Sequence, residues 1–237
     1  MSVLTCRNVS LGYDGKTVVQ DLDFEVEAGE YLCIVGENGS GKSTLVKAIL
    51  GLIPLLSGKI TMEGEGVKKN EIGYLPQQTA IQRDFPASVW EIVLSGCQGG
   101  AGLRPFYTKE EKRTAAENIE KTGLTDLKKR CYRELSGGQQ QRVLLARALC
   151  AAKKMVLLDE PVSALDPKAT AEMYELINKL NKEDKITVIM VSHDIEAAVK
   201  YADKILHLGK NVFCGSKDEY IKSSVSRGFL SGGETNG

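Results

Sequence analysis

The chain has 237 residues, 42% of them hydrophobic and 26% charged, which suits one large domain or a core with a subdomain. Lys+Arg and Asp+Glu are both 31, so bulk charge gives no support for electrostatic capture of nucleic acid or of an anionic membrane. No apolar run reaches the length of a membrane span, and the start Met1-Ser2-Val3-Leu4-Thr5-Cys6-Arg7 lacks the plan of a signal peptide, so a cytosolic protein is expected.

The N-terminal part reads as β structure. Val9 to Tyr13 and Thr17 to Val19 flank Asp14-Gly15-Lys16, a hairpin signal. Leu22, Phe24 and Val26 alternate with acidic residues, as in a half-buried strand. Tyr13 either stacks on a flat adenine ring or decorates the strand surface. Tyr31 to Val35 predicts a strand, and Ser43 to Leu50 predicts a helix stopped by Gly51. Between them, Gly36-Glu37-Asn38-Gly39-Ser40-Gly41-Lys42-Ser43-Thr44 fits G-x-x-x-x-G-K-[ST]. The glycines let backbone N–H groups close around phosphate oxygens, and the helix start adds partial positive charge. In that pattern Lys42 reaches the β- and γ-phosphates and the Ser43 hydroxyl ligates Mg²⁺.

Ile60 to Met62 and Glu71 to Leu75 predict further strands, the second ending at Pro76-Gln77-Gln78. Gln77 either touches Mg²⁺ or the attacking water, or belongs to a solvated loop. From about Asp84 to Ala151 helices predominate, which predicts an inserted helical subdomain. Ser88 to Ser95 is helix-like, Gly96 to Gly102 is glycine-rich, and Thr108-Lys109-Glu110-Glu111 is a capping box opening a helix to about Gly123. Leu135-Ser136-Gly137-Gly138-Gln139 precedes a helical run from Gln140 to Ala152. Ser136 is a natural N-cap, and with the two glycines it offers a second anion site. One nucleotide needs only one cradle, so the economical expectation is that this one serves another copy's nucleotide.

Met155 to Glu160 predicts a buried strand ending in two carboxylates, which need a cation or a reaction. Asp159 suits Mg²⁺, and Glu160 suits a general base for water. Asp166-Pro167 opens a helix with Met173, Leu176, Ile177 and Leu180 as its core stripe. Ile186 to Val191 predicts a strand ending at Ser192-His193-Asp194, where His193 suits a γ-phosphate contact. Lys204 to Leu208 predicts the last core strand, and residues 231–237 predict a disordered tail. The cysteines Cys6, Cys33, Cys97, Cys131, Cys150 and Cys214 form no C-x-x-C and fit a reducing compartment. With two histidines, a histidine-built metal site is not expected.

The order and spacing of these pieces resemble the ATP-binding subunit of an ABC transporter over essentially the whole chain. The resemblance implies an α/β fold: a P-loop NTPase core, about 1–83 and 152–230, with an N-terminal antiparallel β subdomain and a helical subdomain inserted at about 84–151. It identifies Gly36 to Thr44 as Walker A, Gln77 as the Q-loop, Leu135 to Gln139 as the signature, and Met155 to Glu160 as Walker B. Ser163-Ala164-Leu165-Asp166 matches the D-loop, His193 the H-loop and Tyr13 the aromatic A-loop. It implies ATP and Mg²⁺ as cofactors, with Ser43, Gln77 and Asp159 around the metal and Glu160, His193, Gln77 and Lys42 in catalysis. It implies two copies packed head to tail in the ATP-bound state, each signature acting in trans. It also implies separate integral membrane permease subunits, an extracytoplasmic solute-binding protein acting indirectly, no nucleic acid, and a place on the inner face of the cell membrane. Permease contact is expected along Gln78 to about Arg104, with Phe85 and Trp90 as anchors. Asp84 to Val89 and Pro105 to Glu110 look like the zinc/manganese importer branch. The alternatives are an importer ATPase for another substrate such as an iron chelate, and a soluble ABC ATPase of iron–sulfur cluster assembly.

Overall fold

A run of apolar side chains buried on both faces belongs inside a parallel sheet, and Tyr31 to Val35 is buried at all five positions. The computed structural model describes residues 1–13, 16–62, 71–77, 84–100 and 106–226. In chain order its elements are β1 (Ser2–Tyr13), β2 (Lys16–Glu27), β3 (Tyr31–Val35), α1 (Lys42–Ile49), β4 (Ser57–Thr61) and β5 (Ile72–Leu75). Three helices follow: α2 (Val89–Ser95), α3 (Lys109–Lys121) and α4 (Gly137–Ala151). The chain continues with β6 (Met155–Asp159), α5 (Pro167–Lys182), β7 (Thr187–Val191), α6 (Ile195–Tyr201), β8 (Lys204–His207), β9 (Phe213–Ser216) and α7 (Lys217–Lys222). The α/β class expected from the sequence is the class observed. Internal contacts divide the chain into two units, residues 1–63 with 189–237, and residues 64–188.

In the first unit β1 lies between β2 and β4, antiparallel to both. The short strands expected on either side of Asp14-Gly15 are two strands of 12 residues each. Asn8 and Asp21, both at φ 47°, sit where their register shifts, as in β-bulges, and pairing continues on either side. Val19, Leu22, Phe24 and Val26 are buried on one face of β2. The Asp14-Gly15 turn lies outside the described residues. β3 pairs in parallel with β8, Val35 opposite His207, and β8 pairs antiparallel with β9. The strand β9 and the helix α7 have no counterpart in the sequence-based expectation. The tail, 231–237, also lies outside the described residues.

In the second unit β5 and β6 pair in parallel, Leu75 opposite Leu158. The helices α2 to α4 stand between these strands in the chain and share their own core, including Val89, Val93, Ile119, Tyr132 and Val143. Capping boxes start all three, through Ser88 and Glu91, Thr108 and Glu111, and Ser136 and Gln139. Helix α4 begins at Gly137, three residues before the expected Gln140, so Gly137 and Gly138 form its first turn. All six cysteines are free thiols.

Candidate active site

The phosphate-loop sequence occupies the turn between β3 and α1. Gly36 sits at φ 144°, and a Cβ there would lie 2.0 Å from the Leu208 carbonyl oxygen, so only glycine fits. The Leu208 N–H donates to Val35 O at 2.8 Å, and Ser40 N–H donates to Glu37 O at 3.2 Å. Gly41, at φ 99°, stands at the N-cap of α1, where no side chain caps the helix. The first N–H groups of α1 are therefore left without the partner a cap would supply. Lys42 is only 5% exposed, and its ammonium donates to Gly36 O at 2.8 Å and Glu37 O at 2.9 Å. Ser40 Oγ is buried with no hydrogen-bond partner among the described residues. An uncapped helix start, a buried ammonium and an unsatisfied hydroxyl together suit phosphate oxygens. Glu37, Asn38, Gly39 and Ser43 form the exposed rim, and Thr44 is buried.

The same unit carries Tyr13 as the last residue of β1. His193 is exposed in the turn after β7, where Ser192 N–H donates to Ile34 O at 3.0 Å. Asp194 caps α6 by accepting from Ala197 N–H at 2.9 Å.

In the second unit β6 ends on Asp159, 6% exposed, and Glu160 follows in the left-handed region at φ 52°. A non-glycine residue there carries backbone strain of about 1–3 kcal/mol. Two neighbours hold it. The Gln77 Nε2 donates to Glu160 Oε2 at 2.9 Å, and Ser163 donates to Glu160 O from both its N–H (3.1 Å) and its hydroxyl (2.9 Å). Burial, and after it the charge of Asp159, push the Tyr74 phenol up. The next turn continues through Ala164 at φ 64°, with Leu165 N–H donating to Val162 O at 3.2 Å. Asp166 then caps α5 by accepting from Ala169 N–H at 3.0 Å.

Leu135 is buried and leads into the start of α4. Gln139 N–H donates to Ser136 Oγ at 3.3 Å, and Ser136 N–H donates to Gln139 Oε1 at 3.0 Å. A Cβ on Gly138 would lie 2.9 Å from Ala169 Cβ, so the first turns of α4 and α5 approach closely. Ser136, Gly138, Gln139, Arg142, Asp166 and Lys168 line a cleft of about 270 Å³ there. An ion pair between Arg142 and Glu172 borders it. A second cavity, about 290 Å³, is mostly apolar and lined by Phe85, Ile92, Tyr132 and Leu144, with Glu91 and Arg147 as its charged groups. Trp90 packs against the helical core, with the Lys128 ammonium 3.9 Å from its ring centroid. Of the expected permease contact, residues 78–83 and 101–104 lie outside the described residues.

The spacing of motifs gave no sign of the Gln77–Glu160 hydrogen bond, which joins residues far apart in the chain, or of the grip of Ser163 on the Glu160 carbonyl. The Ser163 hydroxyl, three residues past Glu160, is the one signal that a turn-forming side chain was at hand.

A family model described as ABC transporter matches residues 19–163. The chain belongs to the ABC transporter family. It is an ABC-type ATP-binding subunit and an ATPase. It is 41% identical to the manganese transport system ATP-binding protein MntB of Bacillus subtilis, over 93% of this chain and 89% of that protein. It is 40% identical to the zinc transport system ATP-binding protein TroB of Treponema pallidum, over 86% of this chain and 77% of that one. Its structure resembles the ADP conformation of MJ1267, an ATP-binding cassette of an ABC transporter, with a TM-score of 0.82, 25% identity and 95% of each chain covered. A dimeric post-hydrolysis state of the ATP-binding cassette MJ0796, bound to ADP and Pi, aligns with a TM-score of 0.72 and 27% identity, over 89% of this chain and 98% of that one. Among the described residues, no helix of this ABC ATPase is long and apolar enough to cross a membrane.

Proposed function

We propose that this ABC ATPase powers the import of a metal ion, manganese or zinc, through separate membrane permease subunits. The observation that carries the reading is the likeness, over most of the chain, to ATP-binding proteins of manganese and zinc transport systems. It works as a homodimer in the ATP-bound state, on the inner face of the cell membrane, and an extracytoplasmic solute-binding protein delivers the metal to the permease. The dimeric MJ0796 cassette supports the pairing of two copies. The helical subdomain, about 84–151, offers the permease the apolar cavity beside Phe85.

Each residue of the site has a role under this reading. Tyr13 stacks on the adenine. The loop Gly36 to Thr44 wraps the phosphates with its backbone N–H groups, and the Lys42 ammonium leaves the carbonyls of Gly36 and Glu37 for the β- and γ-phosphates. Ser43, Gln77 and Asp159 are hard oxygen donors of the kind Mg²⁺ takes. When bound, Mg²⁺ neutralises charge that develops on the phosphate oxygens. Glu160 orients the attacking water and accepts its proton at the carboxylate. The hydrogen bond from Gln77 to Glu160 Oε2 orients that carboxylate and leaves its other oxygen to accept from the water. His193 donates to the γ-phosphate. The signature, Leu135 to Gln139, approaches the γ-phosphate of the partner copy, and the D-loop, Ser163 to Asp166, meets it at the same junction.

The test is metal content by mass spectrometry in cells carrying the native chain or Glu160→Gln, grown with limiting manganese and with limiting zinc. A selective fall of one of these metals in the Glu160→Gln cells is the expected result, and it names the cargo. Unchanged metal levels, with iron–sulfur enzymes failing instead, would overturn the import reading.

A further inference from the structure

The buried histidine of this chain lies outside the set of residues assigned so far. His207, 2% exposed, ends β8, and its Nδ1 shares a hydrogen bond of 2.9 Å with the hydroxyl of Tyr220, a fully buried residue of α7. The two rings stack at a centroid distance of 5.9 Å, and Phe213 of β9 tilts against Tyr220 at 5.4 Å. The backbone ties this cluster to the phosphate loop. His207 pairs with Val35 on one side and with Phe213 on the other. Its neighbour Leu208 donates to Val35 O and packs its carbonyl where a Cβ of Gly36 would be. The carbonyl of Gly36 is in turn one of the two on which the Lys42 ammonium rests. A continuous chain of contacts thus runs from Tyr220 through His207 and Leu208 to Gly36 and Lys42. All of it lies within one unit of the fold.

We infer that His207 and Tyr220 form a positioning pair for ATP binding: β9 and α7 set the placement of the Gly36 turn, and with it the affinity of the phosphate loop. The physical reason is that the loop has little slack. Gly36 is clamped from behind by Leu208, so a shift at the end of β8 moves the carbonyl that parks Lys42. A phosphate cradle loses affinity when its donors move by a fraction of an ångström. The pair is buried behind the loop, and it acts there through backbone. The inference rests on the reading of Gly36 to Thr44 as the ATP site.

The experiment is an equilibrium titration of the full-length protein with ATP, beside steady-state turnover. Four single variants enter it: Tyr220→Phe, His207→Leu, His207→Asn and Lys42→Ala. Tyr220→Phe and His207→Leu are expected to raise the ATP Kd and the KM about threefold to tenfold, the worth of one buried hydrogen bond. Their kcat at saturating ATP stays within about twofold, because the reacting groups are untouched. A fifth protein, which combines Tyr220→Phe with His207→Leu, is expected to be no worse than His207→Leu alone, as for a coupled pair. His207→Asn keeps a polar partner for the Tyr220 hydroxyl and is expected to bind nearly as tightly as the native chain. A role in packing alone predicts the reverse order, with leucine better than asparagine, and that order would overturn the inference. So would an unchanged Kd in Tyr220→Phe and His207→Leu while Lys42→Ala loses ATP. Undiminished binding in Lys42→Ala would sink the assignment of the loop itself, and the inference with it.

Discussion

The helix starts at Gly41 and at Ser136 both gather glycines and backbone N–H groups, yet only the second is capped. At α1 no side chain caps the first turn, a buried ammonium stands beside it, and the Ser40 hydroxyl lacks a partner among the described residues. At α4 the Ser136 hydroxyl and the Gln139 amide group close a reciprocal box. A side-chain cap is worth about 1 kcal/mol to its helix, so α4 is content without a ligand and α1 is not. The difference separates two tasks that share one composition. Under the proposed function, the first start holds phosphate on its own chain, and the second meets phosphate presented by a second copy.

The largest expected effect comes from the uncapped start. Removing its ammonium with Lys42→Ala should lower turnover at least about 10²–10³-fold, since a charge-stabilising donor is lost, and should weaken ATP binding as well. Steady-state hydrolysis and titration with ATP measure both. If turnover survived, the contrast with α4 would lose its functional meaning. A smaller loss, on the order of 10²-fold in turnover, is expected for Ser136→Arg, which removes the cap and fills the cleft beside Gly138. ATP binding by the isolated monomer should stay at the native level in that variant. A monomer that no longer bound ATP would mean that the capped start serves its own chain's nucleotide.

The smallest effect concerns pH and the support behind the first start. Burial, with the Lys42 charge adding to it and Glu37 opposing it, holds His207 below its ordinary value of 6.5. The unfolded chain therefore takes up a proton near pH 6.5, which the folded chain refuses until lower pH. Stability from this group is full above that value and falls as the pH drops from about 6.5 toward the folded value. Thermal unfolding from pH 7.5 to 5.5 should show a Tm loss in the native chain that His207→Asn reduces by a few degrees. Parallel Tm profiles in the two proteins would show that another group carries the acid sensitivity.

What the sequence discloses follows the range of the forces involved. β3, the phosphate loop and α1 are legible because the strand is a closed apolar run and the glycines punctuate it on both sides. Thr108 with Glu111, and Asp166 with Pro167, announce their helices from within four residues. The start of α4 is read late, because Gly137 and Gly138 have poor helix propensity, and the cap at Ser136 overrides it. β9 escapes notice for another reason. Phe213-Cys214-Gly215-Ser216 shows no alternation worth the name, and only pairing with β8 makes it a strand. Ser216 and Glu219 do spell a capping box for α7, a signal present in the sequence and easily passed over in so short a helix. The bonds from Gln77 to Glu160 and from His207 to Tyr220 are tertiary, and no local pattern encodes them.

The left-handed backbone at Glu160 carries a lesson for anyone who would harden this protein by selection. Glycine or asparagine accepts such a conformation more readily than glutamate does. A screen that rewards heat resistance alone would thus be drawn to the very position of the proposed general base. With Glu160 in that proposed role, durability and turnover pull in opposite directions at one residue, and variants gathered for the first should be counted again for the second.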